Sequence, residues 1–286
     1  MEEKVNAIQA EKLVKRYGKT EALSGVDLEV PEGSVFGLVG PNGAGKTTLI
    51  KALVGALRPT EGAARVLGLD PLKQKSEVRR RIGYMPQSPA LYEDLSARDN
   101  VRFFDAAHRA QDLRKKVQEI LVFTDLAGRA DDPVHTFSGG MKRRVSLACA
   151  LVHEPEVLFL DEPTAAVDPQ LRGRFWDTFR ELARGGTTLF ISTHLMDEAT
   201  LCDRICILRR GHVIASDTPR GILAAGQTRL TVRHSENSQE KTIGGRPEDL
   251  AGALHPYGLR PDVTAVSVEG ESLESVVLSL IEREAG

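Results

Sequence analysis

Three short segments carry residue types suited to chemistry on phosphates. The first, Gly40-Pro41-Asn42-Gly43-Ala44-Gly45-Lys46-Thr47 followed by Thr48, fits G-x-x-x-x-G-K-[ST]. Glycines at this spacing let successive N–H groups turn inward around an anion, and a helix starting near Lys46 adds its positive end. In that setting Lys46 reaches the β- and γ-phosphates of a nucleotide, and the Thr47 hydroxyl ligates Mg²⁺. The second, Val157-Leu158-Phe159-Leu160-Asp161-Glu162, is an apolar run that ends in two carboxylates. Asp161 is expected to hold Mg²⁺, usually through water, and Glu162 to polarise the attacking water. The third, Phe137-Ser138-Gly139-Gly140-Met141-Lys142-Arg143-Arg144, puts a serine and two glycines at a predicted helix start, a second anion site. Alone, each has a plainer reading: a glycine-rich turn, a strand meeting solvent, a helix cap. The four asparagines (6, 42, 100 and 237) begin no guanine-reading N-K-x-D, so adenine is the default base.

The elements around these segments follow an α/β rhythm. Ser34–Val39, Val157–Leu160 and Thr187–Ile191 are continuous apolar runs, which suit strands buried on both faces of a parallel sheet. Helical patterns follow from Lys46 and from about Gln170. From about Ala97 to Val152 the pattern is almost entirely helical, with Val101, Phe103, Phe104, Val117, Ile120 and Leu121, and reads as an all-α insertion. After about Ile222 come two short alternating runs, a helix opening at Pro247-Glu248-Asp249, a strand near Val263–Val268 and a final helix. That last helix carries Leu273, Val276, Val277, Leu280 and Ile281, the stripe of one buried face.

Composition narrows the class. The 286 residues suffice for one large domain or a domain with an appendage. Lys+Arg 38 against Asp+Glu 40 argues against attachment to nucleic acid by bulk charge. Mean hydropathy is -0.23, and no apolar run approaches the roughly 20 residues that span a bilayer. Met1-Glu2-Glu3-Lys4 does not begin a secretory signal. Cys149, Cys202 and Cys206 make no disulfide framework and are expected as reduced thiols. Cys202 and Cys206 lack neighbouring ligands for a metal, so core packing is the expectation.

The third segment resembles the LSGGQ signature of ATP-binding cassette (ABC) ATPases, and further motifs of that family fall in order. Tyr17 lies where the family stacks an aromatic on adenine. Gln87, in Tyr84-Met85-Pro86-Gln87, looks like the Q-loop glutamine, which touches Mg²⁺ and water. Asp168, in Ala165-Ala166-Val167-Asp168-Pro169, looks like the D-loop aspartate of the dimer interface. His194, in Ser192-Thr193-His194, looks like the switch histidine that contacts the γ-phosphate. The sequence departs from the family pattern at Phe137 and Met141 in the signature, in Ala-Ala-Val of the D-loop, and at Cys149, where many relatives carry arginine. None of these departures touches the Ser-Gly-Gly core.

The resemblance implies a P-loop NTPase (RecA-like) α/β core with an antiparallel β subdomain, an inserted all-α subdomain and a small C-terminal α/β appendage. The implied division is an ATPase domain over 1–222, its helical subdomain at about 88–153, and a C-terminal domain over 223–286. The signature with Lys142-Arg143-Arg144 and the closing Ser272-Leu273-Glu274 resemble the ABC-2, drug-resistance-type exporters. In that family two copies, identical or related, close head-to-tail on two ATP and two Mg²⁺. Ser138, Gly139 and Gly140 of one cap the nucleotide of the other, and closure drives a separate transmembrane permease. The expected location is the cytoplasmic face of the membrane, held there through the permease. A groove formed by the helical insertion and the Gln87 region is expected to receive a permease helix; within Pro86 to Leu95, Leu91 and Tyr92 either line that groove or simply pack in the fold. Two rivals are a cassette ATPase with a nucleic-acid-associated or regulatory role and a module that binds nucleotide without hydrolysing it.

Overall fold

The computed structural model describes residues 5–106, 113–165, 167–235, 237–258 and 262–283. Its first elements are two long strands, β1 (Asn6–Tyr17) and β2 (Thr20–Pro31), paired antiparallel. Then come β3 (Val35–Val39), α1 (Lys46–Leu53), β4 (Glu61–Val66), α2 (Lys75–Arg81) and β5 (Ile82–Met85). The helical insertion holds α3 (Ala97–Ala106), α4 (Leu113–Phe123) and α5 (Gly139–Leu151). It is followed by β6 (Val157–Asp161), α6 (Pro169–Arg184), β7 (Thr188–Thr193), α7 (Met196–Ala199), β8 (Arg204–Arg209) and β9 (His212–Asp217). The remaining elements are α8 (Pro219–Ala224), β10 (Gln227–His234), β11 (Ser238–Gly244), α9 (Pro247–Leu254), β12 (Val263–Gly270) and α10 (Leu273–Arg283).

The central sheet has the order β5-β6-β7-β3-β8-β9, parallel except where β9 runs against β8. Every residue of β3, β6 and β7 is buried, as their unbroken apolar runs lead one to expect. Alternation then sorts their side chains to two cores. Phe36, Leu38, Phe159 and Phe190 face the antiparallel sheet β2-β1-β4 and α1, packing against Ile8, Leu23, Leu49 and Ile50. Val35, Val39, Leu158, Leu160, Leu189 and Ile191 face the other way, against Phe175, Trp176 and Phe179 of α6. The Phe190 ring centroid lies 5.6 Å from that of Phe36 and 5.7 Å from that of Phe159. Burying a side chain of this size contributes about 1.5–3 kcal/mol.

The insertion has its own core of Ala97, Val101, Val117, Leu121, Val134, Phe137, Val145 and Val152. Buried Asn100 ties the chain after Gln87 to it: its amide donates to the carbonyls of Tyr92 (2.9 Å) and Ser96 (3.0 Å) and accepts from the Tyr92 N–H (2.9 Å). Leu91 packs on the same core.

The C-terminal region forms the antiparallel sheet β11-β10-β12, with Leu230 and Val232 buried near Ala253 of α9. The final helix does not join this small core. Its stripe, Leu273, Val276 and Val277, is buried in the cassette core beside Ile222 of α8, with Leu280 and Ile281 packed around it. The expected boundary at 222/223 thus falls inside α8. Where β10 begins and β12 has ended, Gln227 N–H donates to Glu271 Oε2 (2.7 Å) and Glu271 N–H to the Gln227 carbonyl (3.1 Å).

Candidate active site

In a parallel sheet the carboxyl ends of neighbouring strands share one edge, and ligands bind in the crevice beyond them. Here β3 delivers the Gly40–Thr48 loop to that edge, β5 the Gln87 segment, β6 Asp161 and Glu162, and β7 Thr193 and His194. The β6–β7 register sets Asp161 opposite Ser192, and the β3–β7 register sets Val39 opposite Thr193. Residues far apart in the chain are thereby brought to one place.

Asn42 to Thr48, Gln87, Glu162 and Ala22 line a cavity of about 290 Å³. Gly40 and Pro41 precede Asn42 in the loop and do not line the cavity. The Lys46 ammonium, almost wholly buried, donates to their carbonyls at 2.6 and 3.2 Å and stands 3.8 Å from Glu162 Oε1. Burial holds the Lys46 pKa below the usual lysine range, while the charges of Glu162 and Asp161 oppose that shift. Thr47 Oγ1 donates to Asp161 Oδ2 (2.8 Å), and Ser192 Oγ donates to Asp161 Oδ1 (2.5 Å). Asp161 is thus fixed through both oxygens.

Glu162 is buried, with its Oε1 3.6 Å from His194 Nδ1. Its N–H is shared between the Ser192 carbonyl (3.2 Å) and Ser192 Oγ (3.0 Å). Its backbone is left-handed, with φ 54°. That region is costly for a residue with a Cβ and is found where the surroundings enforce it, often at functional sites.

The donor set fits Mg²⁺. Among the described residues no group of three or more His, Cys, Asp or Glu side chains forms an all-protein cage. Magnesium typically takes one or two protein oxygens and completes its shell with phosphate and water. The Thr47 hydroxyl gives its proton to Asp161 and keeps its lone pairs for a cation. Gln87 is exposed and lines the same cavity.

Other expected site residues lie apart from this cavity. Tyr17 ends β1 half-exposed, with the Lys15 ammonium 5.0 Å from its ring centre. Ser138 and Gly139 are exposed and Gly140 partly so; Ser138 caps α5, its hydroxyl accepting from Met141 N–H. Asp168 is exposed and caps α6, accepting from Leu171 N–H at 3.0 Å, with Pro169 following. Ala166 of the D-loop lies outside the described residues.

Residues that the sequence reading did not single out complete the arrangement. Ser192 holds both Asp161 and the Glu162 backbone. Glu198, also buried, accepts from the Thr164 hydroxyl and from Thr193 Oγ1 (2.7 Å), joining the turn after Glu162 to the turn that carries His194. A serine closing an otherwise apolar strand was the available signal for Ser192; nothing in the local pattern marked Glu198. Cys149, Cys202 and Cys206 are free and buried, and burial pushes their thiols far above the usual range. Cys202 packs over Gly37, where a Cβ would come within 2.8 Å of its sulfur.

A second cavity, about 540 Å³, lies between the core and the helical insertion. Val54, Arg79, Arg80, Tyr84, Phe104 and His153 are among its lining residues. Leu91 and Tyr92 are not, so of the two readings for them plain packing is the one observed. Leu91 is taken by the insertion's core, and Tyr92 stacks edge-on to Phe103 (4.6 Å), which meets Phe104 (5.8 Å). Tyr92 and Phe103 are both half-exposed.

Residues 23–165, from β2 through the Asp161-Glu162 turn, match the ABC transporter family. A daunorubicin resistance ATP-binding protein, DrrA3 of Streptomyces coeruleorubidus, is 44% identical over 237 residues, 82% of this chain and 75% of that protein. The chain is an ABC transporter ATPase. A solved ATP-binding subunit of an ABC transporter superposes with TM-score 0.75 at 26% identity, over 96% of this chain and 99% of that one. A dimeric cassette in a post-hydrolysis state, bound to ADP and Pi, gives TM-score 0.68 at 27% identity over 74% of this chain and 98% of that one. This ABC ATPase therefore binds ATP with Mg²⁺, acts with transporter partners and has the P-loop core implied by its motifs. Its relatives do not favour the reading as a cassette without a transport role. Among its described residues no helix is long and apolar enough to cross a membrane.

Proposed function

We propose that this subunit hydrolyses ATP with Glu162 as the water-activating carboxylate and powers export by a permease on the cytoplasmic face of the membrane. The observation that supports it most is the convergence of Lys46, Glu162 and His194 at one carboxyl edge, with Asp161 pinned to Thr47 behind them. Loop N–H groups and the Lys46 ammonium bind the β- and γ-phosphates. A phosphate that draws Lys46 away from Glu162 leaves the carboxylate free of its ion pair, and Glu162 then accepts a proton from water. His194, on the other side of Glu162, donates a hydrogen bond to the γ-phosphate. Thr47 and Asp161, with Gln87 near them, would hold Mg²⁺, which would supply charge neutralisation of the phosphates.

Tyr17 offers its exposed ring to adenine. Ser138–Gly140 and Asp168, all outside the chain's own phosphate cavity, serve the nucleotide and surface of a second copy or a related subunit in a head-to-tail dimer. The 540 Å³ groove takes a short cytoplasmic helix of the permease. Arg80 favours an acidic residue on that helix, and Phe104 an apolar one. Residues 1–222 act as the ATPase unit with α10 docked back onto them, and the sheet within 223–286 acts as an appendage. Export as the direction of transport follows the daunorubicin resistance and Nod factor export proteins that the chain resembles.

Phosphate release from the wild type and from Glu162→Gln tests the core of this reading. The wild type is expected to hydrolyse ATP, and the variant to bind ATP, stop turnover and elute as a dimer. Equal rates in the two proteins, or a variant that stays monomeric with ATP, would overturn it.

A further inference from the structure

Three consecutive cations in the first turns of α5 reach in three directions. Lys142 Nζ pairs with Glu93 Oε1 at 2.6 Å, in the segment that follows Gln87. Arg144 Nη1 donates to the Asp125 carbonyl (2.9 Å) and carboxylate (2.8 Å) within the helical insertion. Arg143 Nη1 donates to the backbone carbonyl of Glu162 at 2.9 Å. This last contact joins the signature helix to the residue with the left-handed backbone at the hydrolytic site.

A residue at φ 54° keeps that conformation only if both flanking peptide groups are held. The peptide before Glu162 is held by β7, through Ser192. The peptide after it is held by α5, through Arg143 at 2.9 Å, and more loosely by the Ala165 N–H of its own turn at 3.3 Å, so Arg143 is the tie from outside that turn. A guanidinium-to-carbonyl bond is charge-assisted and stronger than a neutral one, and Arg143 is only partly exposed. We propose that Arg143 is a positioning residue for hydrolysis: it fixes the peptide plane after Glu162, so that the aim of the Glu162 carboxylate depends on where the signature helix sits. This rests on the reading of Glu162 as the water-activating group and of Ser138–Gly140 as facing the partner's nucleotide. The same helix then begins at one nucleotide and ends its first turns on the carboxylate that serves the other. One hydrogen bond within a chain links the two sites of the dimer.

The full chain is assayed as Arg143→Ala, Arg143→Lys, Glu162→Gln and Arg143→Ala/Glu162→Gln. Readouts are phosphate release against ATP concentration, binding of a fluorescent ATP analogue, and Tm. Arg143→Ala is expected to lower kcat about tenfold or more, to leave nucleotide affinity within about twofold, and to flatten the cooperativity of hydrolysis. Arg143→Lys recovers part of the rate, because an ammonium still donates one bond. In the Glu162→Gln background the Arg143→Ala change lowers the residual rate no further, since the group it positions is already disabled. An unchanged kcat in Arg143→Ala refutes the proposal. So does the same fold-loss with and without Glu162, or a loss of rate matched by lost affinity and Tm that Arg143→Lys does not restore. If Glu162→Gln itself turns over like the wild type, the Glu162 reading fails. If Glu162→Gln is inactive while Arg143→Ala matches the wild type, only the positioning role fails.

Discussion

Two glycines of the phosphate loop separate backbone strain from steric collision, because both are left-handed and only one is crowded. At Gly43, φ is 80° and nothing lies within 4 Å of an added Cβ. At Gly45, φ is 108°, and an added Cβ lies 2.5 Å from the Ala22 carbonyl oxygen and 3.2 Å from Leu23 Cδ2. Ala22 cannot retreat easily, since the Ser24 N–H just beyond it is bonded to the Gly211 carbonyl at 2.9 Å. Gly43→Ala therefore carries only conformational strain, about 1–2 kcal/mol. Gly45→Ala adds an overpacking cost of about 1–3 kcal/mol, which makes it the worse of the two by about 2 kcal/mol. For a domain of this size class each kcal/mol lowers Tm by roughly 2–4 °C, so the variants should melt about 4–8 °C apart. Thermal unfolding without nucleotide reads this difference, and repeating it with ATP and Mg²⁺ reads the binding each variant keeps. Equal melting temperatures for the two variants, or a Gly45→Ala protein as stable as the wild type, would show that the approach of Ala22 to the loop is misplaced.

Three other outcomes follow from the geometry. Burial lowers the Lys46 pKa and phosphate favours its ammonium, so ATP affinity should fall with rising pH from below the ordinary value of 10.5. Binding in that window should take up a proton, which calorimetry in buffers of different ionisation heat detects; an affinity flat up to 10.5 contradicts it. The buried Tyr84 hydroxyl has no hydrogen-bond partner among the described residues. Tyr84→Phe should leave the free subunit as stable or up to about 1 kcal/mol more stable, and should weaken capture by the permease if the groove is its seat. Val277→Asp places an unpaired charge at a position 1% exposed, and should release α10 at a cost of about 3 kcal/mol or more. Limited proteolysis then cuts the C-terminal region ahead of the cassette; equal digestion rates would contradict the docking of α10.

The parts of this molecule that obey local rules were legible in its sequence. Continuous apolar runs marked β3, β6 and β7, because a strand buried on both faces has no reason to alternate. The phosphate loop and the capped start of α5 were visible because their function fixes residue types at fixed spacing. The long β1–β2 pair entered only through the family resemblance, since its irregular register, with shifts between Ala10 and Leu13, blurs a period of two. The stripe on α10 was plain, but a stripe names no partner, and its burial against the cassette depends on α8 lying beside it. Ser192, Glu198 and Arg143 act through contacts with residues far away in the chain, and nothing in their neighbours signals that.

The paired hydrogen bonds between Gln227 and Glu271, with the Gly245 N–H bonded to the Gly226 carbonyl beside them, gather the entry and exit of the C-terminal sheet at one place. The chain steps out of the cassette and steps back in at adjacent points, so the sheet is a closed excursion whose ends need no bridge. Units joined this way can be exchanged, lengthened or trimmed without changing the path on either side. For this ATPase it means that α8 and α10 form a fixed frame, and the three strands between them are a cassette within the cassette, replaceable as a unit while the catalytic edge keeps its geometry.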